Sequence, residues 1–119
     1  MDLVVTVPKG LWAHWIAEGD AVDEPYSGEE WAYQVSRKPP IEPGERLYIV
    51  AWGKLRGFAP VVRVFQTATG YAICRRGGAV AVTIPTEIPG FRGFRKRWWD
   101  HSEERPFPDW KSVDYQYSQ

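Results

Sequence analysis

Residues 91–99 read Phe-Arg-Gly-Phe-Arg-Lys-Arg-Trp-Trp and place four cationic side chains among four aromatic rings. Guanidinium and ammonium groups bind phosphates by charge and hydrogen bonding, and flat aromatic faces stack on bases for about 1–3 kcal/mol each. The pattern suits recognition of single-stranded nucleic acid or of a flipped base. A second interpretation stays open, in which Phe91, Phe94 and one tryptophan fill the interior while the cations face water.

Basic residues are concentrated in the middle of the chain, although the formal net charge is zero. Residues 1–35 carry seven acids and one base, residues 36–99 twelve bases and three acids, and residues 100–119 five acids and two bases. Folding either neutralises these charges in local pairs or gathers the cations on a face that attracts a polyanion. The candidate nucleic-acid-binding cations are Arg92, Arg95, Lys96, Arg97, Arg75 and Arg76, and the dipeptide Arg37-Lys38 adds to the basic character.

Trp12, Trp15, Trp31 and Trp52 together exceed what a core of this size readily encloses, because tryptophan is seldom fully buried. We therefore expect a partly exposed aromatic pocket, with Trp31, Trp52 and Trp98 as its preferred members. Packing into the core is the alternative for each of the three rings.

Catalysis finds little support in the residue types and their spacing. His14 and His101 are the only histidines, and they do not have the spacing of metal ligands. Cys74 lies in an apolar strand, where cysteine behaves as a small buried hydrophobic residue. The weakest of the functional hypotheses is a hydrolase acting on nucleic acid, to which Asp100, His101 or Glu103 would contribute. The sequence assigns no catalytic residue, no metal ligand and no cofactor.

Length and composition predict one small globular domain. The 119 residues are 44% hydrophobic and 25% charged, and we expect a single domain over residues 1–110 with a flexible tail over residues 111–119. One cysteine excludes an intramolecular disulfide, and no apolar run approaches the roughly 20 residues that cross a bilayer. Because the first segment also lacks the features of a secretory signal, we expect a cytoplasmic protein that does not bind membranes.

Short β-branched and aromatic runs separated by turns predict a mostly β fold with short helices (α+β). In Glu42-Pro43-Gly44-Glu45, proline and glycine suit the two central positions of a type II turn. Residues 30–36 fit a strand better than a helix, although a capping box precedes them. The expected architecture is a small open β-barrel of five to six mainly antiparallel strands. Strands are predicted over 3–7, 30–36, 46–52, 55–65, 71–74 and 79–84, and a short helix over 11–18.

Residues 41–64 resemble a pattern of the PUA-like superfamily. Ile41-Glu42-Pro43-Gly44-Glu45 leads into an apolar strand, Gly53-Lys54-Leu55-Arg56-Gly57-Phe58 follows, and Val61-Val62-Arg63-Val64 begins the next stretch. In the EVE and ASCH branches of this superfamily the same order forms the centre of a small β-barrel. The resemblance implies that fold and binding of RNA or DNA, which the YTH and EVE branches extend to a modified base in an aromatic cage. The G-x-K-x-x-E-x-R motif of the ASCH branch is absent, which weakens the transfer of that branch's activity. No cage residue is carried over, because the spacing of the aromatic residues matches no motif of these branches.

These observations predict a small nucleic-acid-binding module that reads a base, modified or not, in an aromatic pocket beside a basic rim. RNA or DNA is the expected partner. The alternative is an accessory module whose exposed aromatic residues form an interface with another protein or within a homodimer, since aromatic residues and arginine are favoured at such interfaces.

Overall fold

The computed structural model describes residues 1–15 and 30–113. The elements are short, and a 13-residue strand, β4, is the longest of them. The strands are β1 (Leu3–Thr6), β2 (Glu30–Val35), β3 (Arg46–Ala51), β4 (Lys54–Gln66), β5 (Tyr71–Arg76), β6 (Val82–Thr83), β7 (Phe94–Lys96) and β8 (Arg105–Pro106). The helices are α1 (Trp12–Trp15) and a 3-10 helix, His101–Glu103.

Six strands form one mixed sheet in the order β2-β5-β4-β3-β1-β7. β1 runs parallel to β3, with Leu3 opposite Leu47, and the other neighbours in this sheet pair antiparallel. β6 and β8 form a separate antiparallel pair. The predicted mostly β class with a mainly antiparallel sheet is therefore confirmed.

The long strand β4 bends the sheet. It pairs with β3 up to Pro60 and with β5 from Val61, so it belongs to both halves. The type II turn that precedes β3 forms as predicted, with Gly44 at φ 91° and the Glu45 N–H donating to Glu42 O over 3.0 Å. In β4, Gly57 is required because a Cβ there would lie 2.5 Å from the carbonyl oxygen of Val80.

The bent sheet curls into a half-barrel. The Tyr33 hydroxyl on β2 donates to the backbone oxygen of Thr6 at the end of β1, over 3.0 Å. Beyond β2, the Arg37 guanidinium lies 4.4 Å from the ring centroid of Phe94 on β7. The two edge strands of the sheet, β2 and β7, thus approach each other at one end and leave a seam between them.

Each face of the sheet packs against its own core, because side chains alternate along β1 and β3. Leu3, Val5 and their neighbours on β3 face the inside of the half-barrel, where Trp12 meets the fully buried Trp110 edge-on at 5.4 Å. Val4 and Tyr48 face the other way, against a second core formed with the chain that follows β6. The segment around Trp110 therefore docks against the inside of the half-barrel.

Several predicted boundaries were wrong or only partly tested. Within the described residues α1 is one turn long, and residues 16–18 of the predicted helix lie outside the description, as do residues 114–119 of the predicted tail. The predicted strand over 79–84 is reduced to an isolated bridge between Val80 and Phe58 and to β6, because the chain there covers the sheet instead of joining it. None of the described helices is long and apolar enough to cross a membrane.

Candidate functional site

An exposed aromatic cluster borders the edge strand β7. Trp98 is 51% exposed, and its ring centroid lies 6.5 Å from that of Phe91. The Arg95 guanidinium lies 4.4 Å from the Phe91 ring centroid, so these three residues form one surface, which we call the β7 rim. Trp99 anchors the rim: it is 5% exposed in the second core and packs edge-on against Trp98 at 5.0 Å.

The cations of this segment have two different roles. Arg92, Arg95 and Lys96 are exposed, and none of them forms an ion pair within the described residues. Arg97 is held inside the fold, because its Nη1 donates to Trp99 O and its Nε lies 3.5 Å from an Asp2 carboxylate oxygen. Three of the four predicted cations are thus available to an external anion.

The other two predicted cations lie on β5, near the opposite edge of the sheet. Arg75 is fully buried: its guanidinium carbon lies 5.5 Å from the ring of Trp15 and 5.7 Å from that of Trp31, and Nη2 donates to His14 O over 2.9 Å. Arg76 is exposed at the end of the strand, opposite Glu30. The structure therefore gives Arg75 a packing role and does not bring this pair to the β7 rim.

The three preferred tryptophans have separate surroundings. Trp31 is half-buried and packs near the rings of Trp15, at 6.0 Å, and His14, at 5.8 Å. Trp52 occupies the turn between β3 and β4, and Trp98 belongs to the β7 rim. Among the described residues no ring contact joins any two of the three. A single cage built from all three tryptophans is therefore not formed by direct ring contacts.

Trp52 has a strained backbone. Its φ is 53° and that of Gly53 is 73°, so both residues of this two-residue hairpin turn are left-handed. A bulky residue in that conformation costs of order 1–2 kcal/mol, and asparagine or glycine is usual there. The ring is held in place, since Nε1 donates to Lys9 O over 3.0 Å and the Lys9 ammonium lies 4.5 Å from the ring centroid.

A mostly apolar pocket of about 340 Å³ opens beside the Trp52 ring. One wall comes from β1 and β3, the second from Lys9, and the third from Pro89-Gly90. The third wall continues directly into Phe91, so the pocket and the β7 rim share one segment of chain. Its lining residues are Thr6, Val7, Lys9, Val50, Trp52, Gly53, Pro89 and Gly90.

The residues considered for catalysis have local structural roles. Asp100 accepts the Ser102 N–H over 3.1 Å, which is the main reason that its pKa is lowered, and Glu103 accepts the Asp100 N–H over 3.1 Å. These two carboxylates form the capping box of the 3-10 helix. His101 is exposed, with Nε2 3.4 Å from an Asp2 carboxylate oxygen. In the part of the chain that the structure describes, no three His, Cys, Asp or Glu side chains could jointly hold a metal ion.

Cys74 is fully buried on β5, and burial raises the pKa of its thiol. Both properties work against nucleophilic chemistry, which needs an accessible thiolate. The prediction that this cysteine packs as a small hydrophobic residue is confirmed.

Sequence reasoning did not identify the Lys9 wall or the Pro89-Gly90 wall of the Trp52 pocket. Residues 9, 52 and 89 are distant along the chain and meet only because β1 pairs with β3 and the later chain folds back onto both. A composition pattern carries no signal of that kind. The one local indication was the Trp52-Gly53 dipeptide, whose glycine suits a tight turn.

Comparisons of the chain with protein-family models, with curated proteins and with solved structures give no significant match.

Proposed function

We propose that the chain is a PUA-like half-barrel that binds single-stranded nucleic acid along its β7 edge. The observation that carries the proposal is Trp98, which is 51% exposed and shares its neighbour Phe91 with Arg95, a cation without an ion pair in the described residues. A strand with exposed bases and a charged backbone complements both kinds of side chain.

Trp98 supplies the stacking surface. Phe91 and Trp99 contact its ring edge-on, with interplanar angles of 67° and 86°. These perpendicular contacts restrict the rotamers of Trp98, while about half of its surface stays accessible to solvent. A base that stacks on this ring therefore loses little of its binding energy to side-chain ordering.

Arg95 supplies the phosphate contact next to the stacked base. Its guanidinium stacks on Phe91 at 4.4 Å, which orients the group without consuming its N–H donors. A phosphate that contacts Arg95 would thus lie beside a base on Trp98. Arg92 and Lys96 are exposed cations on the same short segment and add to its positive charge.

The Trp52 pocket is the proposed place for an inserted base. It combines an aromatic wall, a cation and apolar side chains, and Gly90 leads from it to Phe91 of the β7 rim. The left-handed Trp52 backbone supports the assignment, because strained residues cluster at ligand sites where the side chain is needed. A strand stacked on Trp98 could place a neighbouring base in this pocket.

The test measures binding of a fluorescently labelled eight-nucleotide strand, as RNA and as DNA, by anisotropy. Trp98→Ala is expected to weaken binding about 10-fold, within the range that stacking on one aromatic ring contributes. Phe65→Ala is the matched control, because Phe65 is also an exposed ring, 41% accessible, with the Arg63 guanidinium 4.8 Å from its centroid. It lies on β4, where Arg63 is paired with Glu30. The control is expected to bind as the wild type does.

Equal losses in both variants, or no binding to either nucleic acid, would contradict the proposal. Sedimentation velocity on the same samples tests the alternative interface between proteins. Self-association of the wild type that Trp98→Ala abolishes, without any oligonucleotide binding, would assign the β7 rim to a homodimer instead.

A further inference from the structure

A second site lies at the seam where the edge strands of the half-barrel approach each other. A cleft of about 220 Å³, large enough for several water molecules, opens between residues 35–37 and residues 92–94. Its polar side chains are Arg37, Arg92 and the hydroxyl of Ser36, and none of its lining side chains is acidic. Val35 and Phe94, both buried, form the apolar floor.

The two arginines of the cleft keep their hydrogen-bond donors available. The Arg37 guanidinium carbon lies 4.4 Å from the Phe94 ring centroid, and the side chain donates no hydrogen bond within the described residues. Arg92 is exposed on the opposite side of the cleft, and neither arginine forms an ion pair within the described residues. Both guanidinium groups line the same cleft, so each adds to a positive potential that attracts an anion.

The backbone at the mouth of the cleft leaves room for a ligand. Gly93 has φ 70°, and a Cβ built on it would have no atom within 4 Å. The left-handed turn thus carries the chain from Arg92 to the buried Phe94 without placing a side chain over the opening.

We propose that this cleft binds a dianionic phosphate group through Arg37, Arg92 and Ser36. Two guanidinium forks that approach from different elements match a tetrahedral anion with several acceptor oxygens better than a planar carboxylate with two. The phosphate is either inorganic or the terminal monoester of a nucleotide chain. Only the second source rests on the proposed function, since inorganic phosphate needs neither Trp98 nor a bound strand.

The first experiment titrates inorganic phosphate at pH 8 and constant ionic strength and records backbone amide signals by NMR. Saturable shifts are expected at Ser36–Arg37 and at residues 92–94. Arg37→Gln and Arg92→Gln should each weaken binding about tenfold, because each removes one charged donor fork. Arg105→Gln, which removes an exposed arginine on β8, is the charge-matched control and should leave the affinity unchanged. Shifts that do not saturate, or that persist in the two cleft variants, overturn the proposal.

The second experiment identifies the source of the phosphate. Oligonucleotides with and without a terminal phosphate are compared on the wild type and on Arg37→Gln. Tighter binding of the phosphorylated strand, about tenfold and lost in Arg37→Gln, supports a terminal monoester. Equal binding of the two strands, with inorganic phosphate still bound, supports a free phosphate ligand. Trp98→Ala distinguishes the cleft from the β7 rim, since it should weaken binding of the oligonucleotide and leave the phosphate-induced shifts intact. Loss of those shifts in Trp98→Ala would contradict a separate phosphate site.

Discussion

Replacing Arg56 by methionine is expected to lower the free energy of unfolding by about 3 kcal/mol, because three backbone carbonyl oxygens lose their donor and an unsatisfied buried acceptor costs about 1–3 kcal/mol. Arg56 is fully buried on β4 and lies beneath the chain that follows β8. Its Nε donates to Ala51 O over 2.9 Å, and its Nη1 donates to Trp110 O over 3.1 Å and to Ser112 O over 2.6 Å. The side chain therefore attaches the C-terminal segment to the sheet.

The burial of Arg56 also makes an unfavourable contribution to the stability of the fold. Burial lowers its pKa to about 10, and Nη2 has no hydrogen-bond partner among residues 1–15 and 30–113. The guanidinium is compensated by three carbonyls and by the Trp12 ring, whose centroid is 4.6 Å away. Methionine fills the space and removes the buried charge, but it leaves three carbonyl oxygens without their donor. We expect the loss of these hydrogen bonds to destabilise the fold by more than the removal of the buried charge stabilises it.

Urea unfolding measures this difference. Arg63→Met is the control: its side chain is 58% exposed and pairs with Glu30 on the surface, so its loss should change stability by less than about 1 kcal/mol. Hydrogen exchange should also show residues 107–113 losing protection in Arg56→Met and not in Arg63→Met. Equal stabilities of Arg56→Met and the wild type would mean that ring packing alone holds the C-terminal segment.

Tyr48→Phe is expected to lose stability relative to the wild type at neutral pH, and the deficit should shrink by about 2 kcal/mol between pH 9 and pH 12. The Tyr48 hydroxyl, fully buried on β3, donates to a Glu104 carboxylate oxygen over 2.6 Å. The Trp99 Nε1 donates to the same oxygen over 2.9 Å, and Arg46 Nη1 lies 3.4 Å from the other. This cluster holds the segment before β8 onto the sheet.

The direction of the pH effect follows from the tyrosine. Burial, and then the bond to Glu104, raise the pKa of Tyr48 from 10.0 to about 12. Between those two values the folded chain keeps a proton that the unfolded chain has lost, so the stabilisation is complete below pH 10 and is lost as the pH rises through 12. Arg56 acts in the opposite direction, because its pKa is lowered, and both proteins carry that contribution equally.

Unfolding by urea at pH 9, 10, 11 and 12 gives the free-energy difference between Tyr48→Phe and the wild type. Glu104→Gln is the second variant: it removes the charge that helps to hold the phenol proton, so its own stability should decline less steeply with pH than that of the wild type. A difference between Tyr48→Phe and the wild type that stays constant from pH 9 to pH 12 would contradict the account of the cluster.

Local chemistry was enough to predict much of the fold. Pro43-Gly44 placed the type II turn correctly, and the β-branched runs marked β1, β3, β4 and β5, because turn geometry and strand propensity act over a few residues. Trp52 shows where this reasoning ends. It continues the alternation of β3 in sequence, yet the structure uses it in the turn, since the hairpin register places Ala51 opposite Lys54.

The candidate site could be predicted by residue type but not by exposure. Trp98 and Trp99 are identical neighbours, and only the second core decides that Trp99 is buried and Trp98 is not. Arg95 and Arg97 likewise differ through Asp2, which is nearly the whole chain away in sequence. Arg56 is buried because the register of the β3–β4 pairing shifts beside it. The alternation of apolar and polar residues along the strand does not indicate such a shift.

Salt dependence of oligonucleotide binding tests the central claim most directly. On a plot of log affinity against log salt concentration, each neutralised phosphate of a single strand contributes about −0.7 to the slope. About three phosphate contacts therefore predict a slope near −2. Arg95→Gln should make the slope shallower by about 0.7, and Arg105→Gln should leave it unchanged. An affinity that does not respond to salt, or equal slopes for the wild type and Arg95→Gln, would contradict the assignment of the β7 rim to nucleic acid.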